Sequence, residues 1–140
     1  MTLVDPLGYI LTTVRDNATV AALTTRIRGG EPAAGDALGP GHFLRFVVLV
    51  NIGRIREKRL PVQEVRIAAR CYGLTHQDAA ALAGAVSDAI HAKGPRVSTG
   101  DVGIWTSFDD GGGGGLLDPD TNQPYEVVVI LVNAATVPIV

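Results

Sequence analysis

The fold is decided by residues 62–94, which read VQEVRIAARCYGLTHQDAAALAGAVSDAIHAKG. Up to Gly73 the apolar and polar residues alternate with a period of two, which predicts a strand with one buried face. Thr75 stands three residues before Asp78, a spacing that predicts the N-terminal cap of a helix. The tripeptide Lys93-Gly94-Pro95 predicts where that helix ends. The stretch therefore indicates a mixed α and β fold.

The predicted helix has two faces of different composition. At 3.6 residues per turn, one aliphatic stripe is expected to pack on the sheet: Ala79, Leu82, Ala83, Val86, Ala89 and Ile90. The opposite side is made mostly of small residues, whereas a solvated helix back usually has long charged side chains: Ala80, Ala81, Gly84, Ser87, Asp88 and His91. Two interpretations stay open. The helix is either an alanine-rich surface helix or a subunit interface that another backbone approaches closely at Ala80, Ala81 and Gly84.

Length and composition predict a single domain over residues 1–140 with an aliphatic core. The chain is 46% hydrophobic but only 5% aromatic, and a domain of this length buries roughly two-thirds of the surface that its unfolded chain exposes. A net charge of −2 is too close to neutral for a general nucleic-acid binder. One cysteine cannot form an internal disulfide and provides no metal framework.

Neither export nor membrane insertion is predicted. The N-terminus lacks the basic flank and apolar stretch of a signal peptide. The apolar run 127–132 has six residues, well short of the roughly twenty that span a bilayer. We expect a protein that is made in a cytoplasm and does not associate with a membrane.

Basic and acidic residues are concentrated in different segments of the sequence. From Arg45 to Arg70 there are seven basic residues and only two acidic ones. After Arg96 there is no lysine or arginine, while acidic residues accumulate: Asp101, Asp109, Asp110, Asp118, Asp120 and Glu126. Two segments of opposite sign suit either pairing within one chain or head-to-tail contact between neighbouring copies.

The remaining segments complete the predicted architecture. Asp5-Pro6 starts a helix that runs to about Arg15, and a second short helical stretch is expected at Ala18–Leu23. Strands are predicted at four places: 43–52, 62–72, 102–108 and 125–133. The first and last are almost continuously apolar, which is typical of central strands. We expect an α+β fold with a mostly antiparallel sheet of about four strands and two helices packed on one face.

Two glycine-rich segments are predicted to be flexible loops. Residues 29–41 combine glycines with Pro32 and Pro40. Residues 109–124 contain five consecutive glycines at 111–115, followed by Asp118-Pro119-Asp120. Such low-complexity sequence behaves as a tether that orders only against something else.

No catalytic centre, metal site or cofactor site is predicted. Cys71 falls on the inward face of its strand, so we expect a buried hydrophobe rather than a nucleophile. The histidines at 42, 76 and 91 do not have the spacing of metal ligands. The glycine run 111–115 lacks the Gly-Lys-Ser/Thr of a phosphate loop. We therefore predict that the chain is not an enzyme.

The basic tip, formed by Arg54, Arg56, Lys58 and Arg59, is predicted at the turn of a long hairpin. One interpretation is a solvated hairpin end, where charge discourages edge-to-edge pairing. The other is contact with phosphate or with an acidic partner surface. Four cations without interleaved aromatic residues do not favour sequence-specific reading of nucleic acid. The acidic counterparts of the tip are Asp109, Asp110, Asp118 and Asp120.

Taken in chain order, these elements resemble the tail terminator (tail-completion) proteins of long-tailed bacteriophages. The matching parts are an N-terminal helix closing in DNATVAAL at 16–23, a Gly/Pro loop and an arginine-rich hairpin. A strand ending Cys71-Tyr72-Gly73 and the helix over 75–93 follow. The glycine insertion 111–115 is longer than the family pattern.

The resemblance implies a structural virion protein. Such a protein forms a ring, usually of six copies, that caps the head-proximal end of the tail tube and ends tube polymerisation. The ring docks the tail to the neck proteins of the head, and DNA passes through its lumen without sequence-specific contact. Two alternatives stay open: another neck component, such as a head-completion or connector protein, and a small-ligand- or peptide-binding module.

Overall fold

A computed structural model describes residues 6–36, 41–56, 62–92, 96–99, 102–109 and 115–135. Within these ranges the chain forms three helices, α1 to α3, and seven strands, β1 to β7. In chain order they are α1 Pro6–Arg15, α2 Ala18–Leu23, β1 Ile27–Gly29, β2 Phe46–Arg56, β3 Val62–Tyr72, α3 His76–Ala92, β4 Arg96–Thr99, β5 Val102–Asp109, β6 Leu116–Leu117 and β7 Pro124–Ala135.

The strands join in one mixed sheet with the order β1-β2-β3-β7-β5-β4, and β6 pairs with β7. β1 runs parallel to β2, while the other described pairs are antiparallel. β3 and β7 lie at the centre and pair along their length, from Val62 opposite Ala135 to Tyr72 opposite Tyr125. The two strands that were predicted to form the hairpin, β2 and β3, do pair antiparallel.

The predicted α+β class is confirmed, but the predicted sheet of about four mostly antiparallel strands with two helices is wrong. The described sheet is mixed, with five strands of four or more residues and two shorter ones. Of the three helices, only α1 and α3 are long. The strands that the sequence did not predict, β1, β4 and β6, have two to four residues, too few for an alternating pattern. β1 can run parallel to β2 because the long connection between them returns the chain to the same end of the sheet.

One face of the sheet carries the main core, to which all three helices contribute. Sheet residues such as Leu49, Ile67 and Ile130 pack against Ile10 of α1 and Val20 of α2. The predicted stripe of α3 is buried, with every member at most 5% exposed. The assignment of that stripe to the sheet side is therefore confirmed.

The other face of the sheet has a smaller cluster centred on stacked aromatic rings. The ring centroids of Phe46 and Tyr72 lie 4.2 Å apart, and those of Tyr72 and Tyr125 lie 5.0 Å apart. The three residues occupy the same row across β2, β3 and β7. This row marks one end of the sheet, which we name the aromatic end.

Candidate subunit interface and adjoining groove

The first turn of α3 is held by hydrogen bonds from two directions. Thr75 Oγ1 accepts the backbone N–H of Asp78 at 3.1 Å, which confirms the predicted cap. The Asp78 carboxylate accepts the backbone N–H of Leu74 at 2.8 Å and Nε of Arg45 at 2.7 Å. The hydrogen bond from Arg45 holds the pKa of Asp78 below its ordinary value, although burial acts in the opposite direction. The start of α3 is thus fixed to the segment that leads into β2.

Gly73 allows α3 to pack directly against the end of β3. A Cβ at this position would collide with the backbone N of Ala79 and would lie 2.7 Å from its Cα. Only glycine fits such a close approach of two backbones. The orientation of α3, and of its outer face, depends on this contact.

The outer face of α3 is a shallow surface of small residues. Ala80, Ala81 and Gly84 are all exposed, and a Cβ added at Gly84 would meet no heavy atom within 4 Å. We name these three residues the alanine face. Long side chains that would keep a second backbone at a distance are missing from these three positions, so the surface has the shape that a helix-to-backbone contact requires.

The basic tip is only partly within the described chain. Arg54 and Arg56 belong to β2, where their backbones pair with Val65 and Gln63 of β3. Lys58 and Arg59 lie outside the described residues. Arg54 and Arg56 are therefore at the end of the sheet opposite to the aromatic end.

The acidic residues occupy different places. Asp109 is the last residue of β5, opposite Val129, and Asp110 lies outside the described residues. Asp118 and Asp120 belong to the turn between β6 and β7, which we name the acidic turn (residues 118–123). The acidic turn begins directly after Leu117, which is 48% exposed.

The acidic turn has a defined conformation in the described structure, while the flexibility expected of residues 109–124 stays a prediction. Asp118 Oδ1 accepts the backbone N–H groups of Asp120 at 2.8 Å and Thr121 at 3.1 Å. These are the hydrogen bonds of an Asx turn. Gln123, which is 1% exposed, donates from Nε2 to the carbonyl oxygens of Leu44 and Gly73. Asp118 is therefore a turn-forming residue, while the carboxylate of Asp120 faces solvent.

The structure does not bring the described parts of the basic tip and the acidic turn together. Gln63, opposite Arg56, and Tyr72, beside the acidic turn, are nine residues apart on β3. At about 3.4 Å per residue this separation is roughly 30 Å. Pairing of Arg54 or Arg56 with Asp118 or Asp120 inside one copy is thereby excluded.

An open groove of about 350 Å³ lies beside the aromatic end, on the β1 and β2 side of the sheet. Its apolar lining comes from Leu23, Phe43, Leu44 and Leu74, and its polar lining from Thr24, Thr25, Arg26 and Arg45. This groove has no signature in the sequence, because its walls come from three separate segments of the chain.

Two aspartates position the arginines of the groove: the buried Asp36 binds Arg26, and the mostly buried Asp78 binds Arg45. The Asp36 carboxylate is fully buried and accepts from Arg26 Nη1 at 3.0 Å, Arg28 Nε at 3.1 Å and the backbone N–H of Ala33 at 2.7 Å. Burial alone would raise the pKa of Asp36, but these hydrogen bonds outweigh it, so the pKa lies below its ordinary value. Asp36 thereby connects Ala33 of the predicted loop 29–41 to Arg26 and Arg28.

Among the described residues, no group of three or more His, Cys, Asp and Glu side chains is arranged to hold a metal ion. The described helices also include none that is long and apolar enough to cross a membrane. Comparison with protein-family models and with curated proteins finds no significant match.

Proposed function

We propose that this chain is a structural virion protein of the tail-terminator kind. Copies of it form a ring, usually of six, that caps the head-proximal end of a phage tail tube, ends tube polymerisation and docks the tail to the neck. The observation that carries the proposal is the alanine face of α3, which is exposed on a helix whose other side is in the core.

The alanine face supports contact between copies because small residues let two backbones approach closely. Each of its three positions is exposed, and none has the long charged side chain that is usual on a solvated helix. A heterologous contact, in which different surfaces of two copies meet, closes into a ring when the rotation between copies is suitable. The resemblance of most of the chain to tail terminators supports that mode of assembly.

The charges support a ring with two different rims. Copies that stand side by side in one orientation place Arg54 and Arg56 on one rim and the acidic turn on the other, because these groups lie at opposite ends of the sheet. A terminator must bind the tail tube on one side and neck proteins on the other. Rims of opposite charge give each partner a distinct surface to recognise.

The test is the mass of the protein in solution, measured by sedimentation velocity alone and in the presence of polymerised tail tubes. We expect a ring-sized species in at least one condition, and tubes that stop growing when the protein is added. The variant Gly84→Lys should prevent ring formation, while Thr12→Lys, at an exposed position of α1, should not. A protein that stays monomeric in both conditions and does not stop tube growth contradicts the proposal.

A further inference from the structure

We propose that the open face of the sheet docks the outer side of α3 of a second copy, with Arg70 of one copy paired to Asp88 of the next. The open face is the side of β2, β3 and β7 that lies opposite to the helices. The inference rests on the proposed ring, and it names the surface that the alanine face contacts. It is carried by the layer order of the fold and by two charges whose positions match.

The open face is apolar, and none of the described helices packs on it. All three helices contribute to the core on the other face, and the residues of each strand alternate between the two faces. On the open face, Val48, Ala68 and Val129 are covered within the copy. Other aliphatic residues of this face stay partly exposed, and a second layer would remove them from water: Val50, Val127 and Leu131.

Arg70 is a cation on the open face that lacks a carboxylate partner in the described structure. It lies on β3 between Ala69 and Cys71, which both belong to the core under the helices, so its own side chain is on the other side. Arg70 is exposed and hydrogen-bonds the hydroxyl of Tyr72, but no ion pair among the described residues includes it. A guanidinium has five N–H donors, so a carboxylate can bind it as well.

Asp88 is the matching anion on the outer side of α3. It is exposed and follows Gly84 by one helical turn, and the described chain gives its carboxylate no ion pair. Ala80, Ala81 and Gly84 lie on the same side and have no long side chain that would keep a sheet at a distance. A helix with this surface can therefore lie flat on a sheet and bring Asp88 to a guanidinium.

The two charged groups lie on opposite sides of one copy. Asp88 is on the outer side of the helix layer, and Arg70 is on the outer side of the sheet layer. A helix is about 10 Å thick and a sheet layer about as much again, so both layers separate the groups by roughly 20 Å. Pairing therefore requires two copies, stacked with the helix layer of one on the open face of the other. Each copy then meets its two neighbours with different surfaces, which is the heterologous contact of a ring.

The two groups also lie at the same level along the strands when the copies share one orientation. α3 begins at the aromatic end, where Gly73 packs on Ala79, and it returns along β3 and β7. Asp88 is nine residues after Ala79, which is roughly 13 Å at about 1.5 Å per residue. At about 3.4 Å per strand residue this distance equals roughly four residues of β3, so Asp88 is level with Ala69, next to Arg70. Because the step between copies is perpendicular to the sheet and as thick as both layers, the copies do not overlap.

A charge exchange tests the pair by sedimentation velocity over a range of concentrations, with and without polymerised tail tubes. Arg70→Glu and Asp88→Arg each place two like charges at the contact, so each should weaken association about tenfold or more. The combined variant exchanges the two charges and should restore association. The controls are Thr25→Glu and Glu31→Arg, at exposed positions on either side of the edge strand β1, and they should associate like the unmodified protein. Urea denaturation of each variant shows that its fold is intact.

A cross-link tests the contact directly. Arg70→Lys keeps the charge and introduces an amine, which a zero-length carbodiimide should join to the carboxylate of Asp88. The layers that separate positions 70 and 88 in one copy prevent this link within a chain, so it should give covalent dimers and longer oligomers. Mass spectrometry of the linked peptides identifies the two positions. The combination of Arg70→Lys with Asp88→Asn should not form the link.

The outcomes separate this inference from the proposed function. If Gly84→Lys prevents association while Arg70→Glu and Asp88→Arg associate normally, the contact on the open face is wrong and the ring proposal stands. If the single variants fail to associate and the combined variant does not recover, Arg70 and Asp88 do not pair, and the inference is overturned. The same holds if Arg70→Glu self-associates normally but no longer binds tail tubes, because the open face then belongs to the tube. A protein that gives neither a ring-sized species nor the 70–88 link contradicts both proposals.

Discussion

The guanidinium Nε of Arg45 lies 2.9 and 2.7 Å from the two carboxylate oxygens of Asp78. The same carboxylate accepts the N–H of Leu74 ahead of α3, and the carbonyl of Arg45 accepts the hydroxyl of Thr24 at the end of α2. Arg45 therefore connects the start of β2 with α3 through its side chain and with the end of α2 through its backbone carbonyl. The ion pair also fixes Arg45 in the wall of the groove.

Removal of the Asp78 carboxylate should destabilise the fold. In the variant Asp78→Ala, Leu74 and Arg45 both lose their acceptor. Because the pair is partly exposed and screened by solvent, we expect the free energy of unfolding to fall by about 1–2 kcal/mol. Urea denaturation measures it. Asp88→Ala, at an exposed position of the same helix, is the control and should change the value by less than about 0.5 kcal/mol. Equal stability of the two variants would contradict the assigned role of Asp78.

Acid should weaken the fold through Asp36 and Asp78. Both carboxyls have a pKa below the ordinary value of 3.8. Between the lowered pKa of each group and its ordinary value, the unfolded chain therefore binds more protons than the native one. The free energy of unfolding is therefore expected to stay level from about pH 7 to 5 and to fall as the pH drops below about 4. Urea midpoints between pH 3 and 7 test this prediction.

The control for the acid dependence is the double variant Asp36→Asn, Asp78→Asn. It removes both titrating groups, so its stability should be lower at pH 7 and should depend less steeply on pH in the acid range. If the free energy of unfolding of the double variant falls as steeply at acid pH as that of the unmodified protein, the pH dependence belongs to other groups.

Much of the fold could be predicted from local pattern. The alternation over β3 gave its bounds as Val62–Tyr72, and the spacing of Thr75 and Asp78 placed the start of α3 within one residue of His76. These elements have local signals, because period and capping residues are adjacent in the chain. The short strand β1 has no such signal: it exists because its backbone pairs with Val47 to Leu49, some twenty residues away.

The candidate site was only partly predictable, because its alanine face comes from one helix whereas its groove does not. The positions 80, 81 and 84 follow from helical periodicity. The groove instead requires Leu23, Phe43 and Leu74 to meet after folding. The burial of Asp36 was likewise not predictable, since an aspartate in a Gly/Pro loop has the sequence pattern of a solvated acid. Its burial depends on two arginines that are eight and ten residues away.

Cys71 should be unreactive in the native protein. Burial, with a smaller effect from the charge of Glu126, raises the pKa of its thiol to about 12. At pH 8 the thiol is then protonated, and reagents also cannot reach it. We expect a chromogenic disulfide reagent to label the native protein no faster than it unfolds, and to label it at once in urea. Rapid labelling without denaturant would contradict the buried position of Cys71, which agrees with its predicted role as a small core residue.

Adding one methyl group should have opposite effects at two glycines of the same region. In Gly73→Ala the new Cβ collides with the backbone of Ala79 and lies 2.8 Å from the carbonyl carbon of Asp78. Backbone cannot move aside as a side chain does, so we expect the free energy of unfolding to fall by at least about 2 kcal/mol. In Gly84→Ala the methyl meets no heavy atom within 4 Å, and alanine is favoured over glycine inside a helix by about 1 kcal/mol. The second variant should therefore be more stable than the unmodified protein. Thermal and urea denaturation of both variants measure the difference, and the same sign of change at the two positions would contradict the close packing of α3 on Gly73.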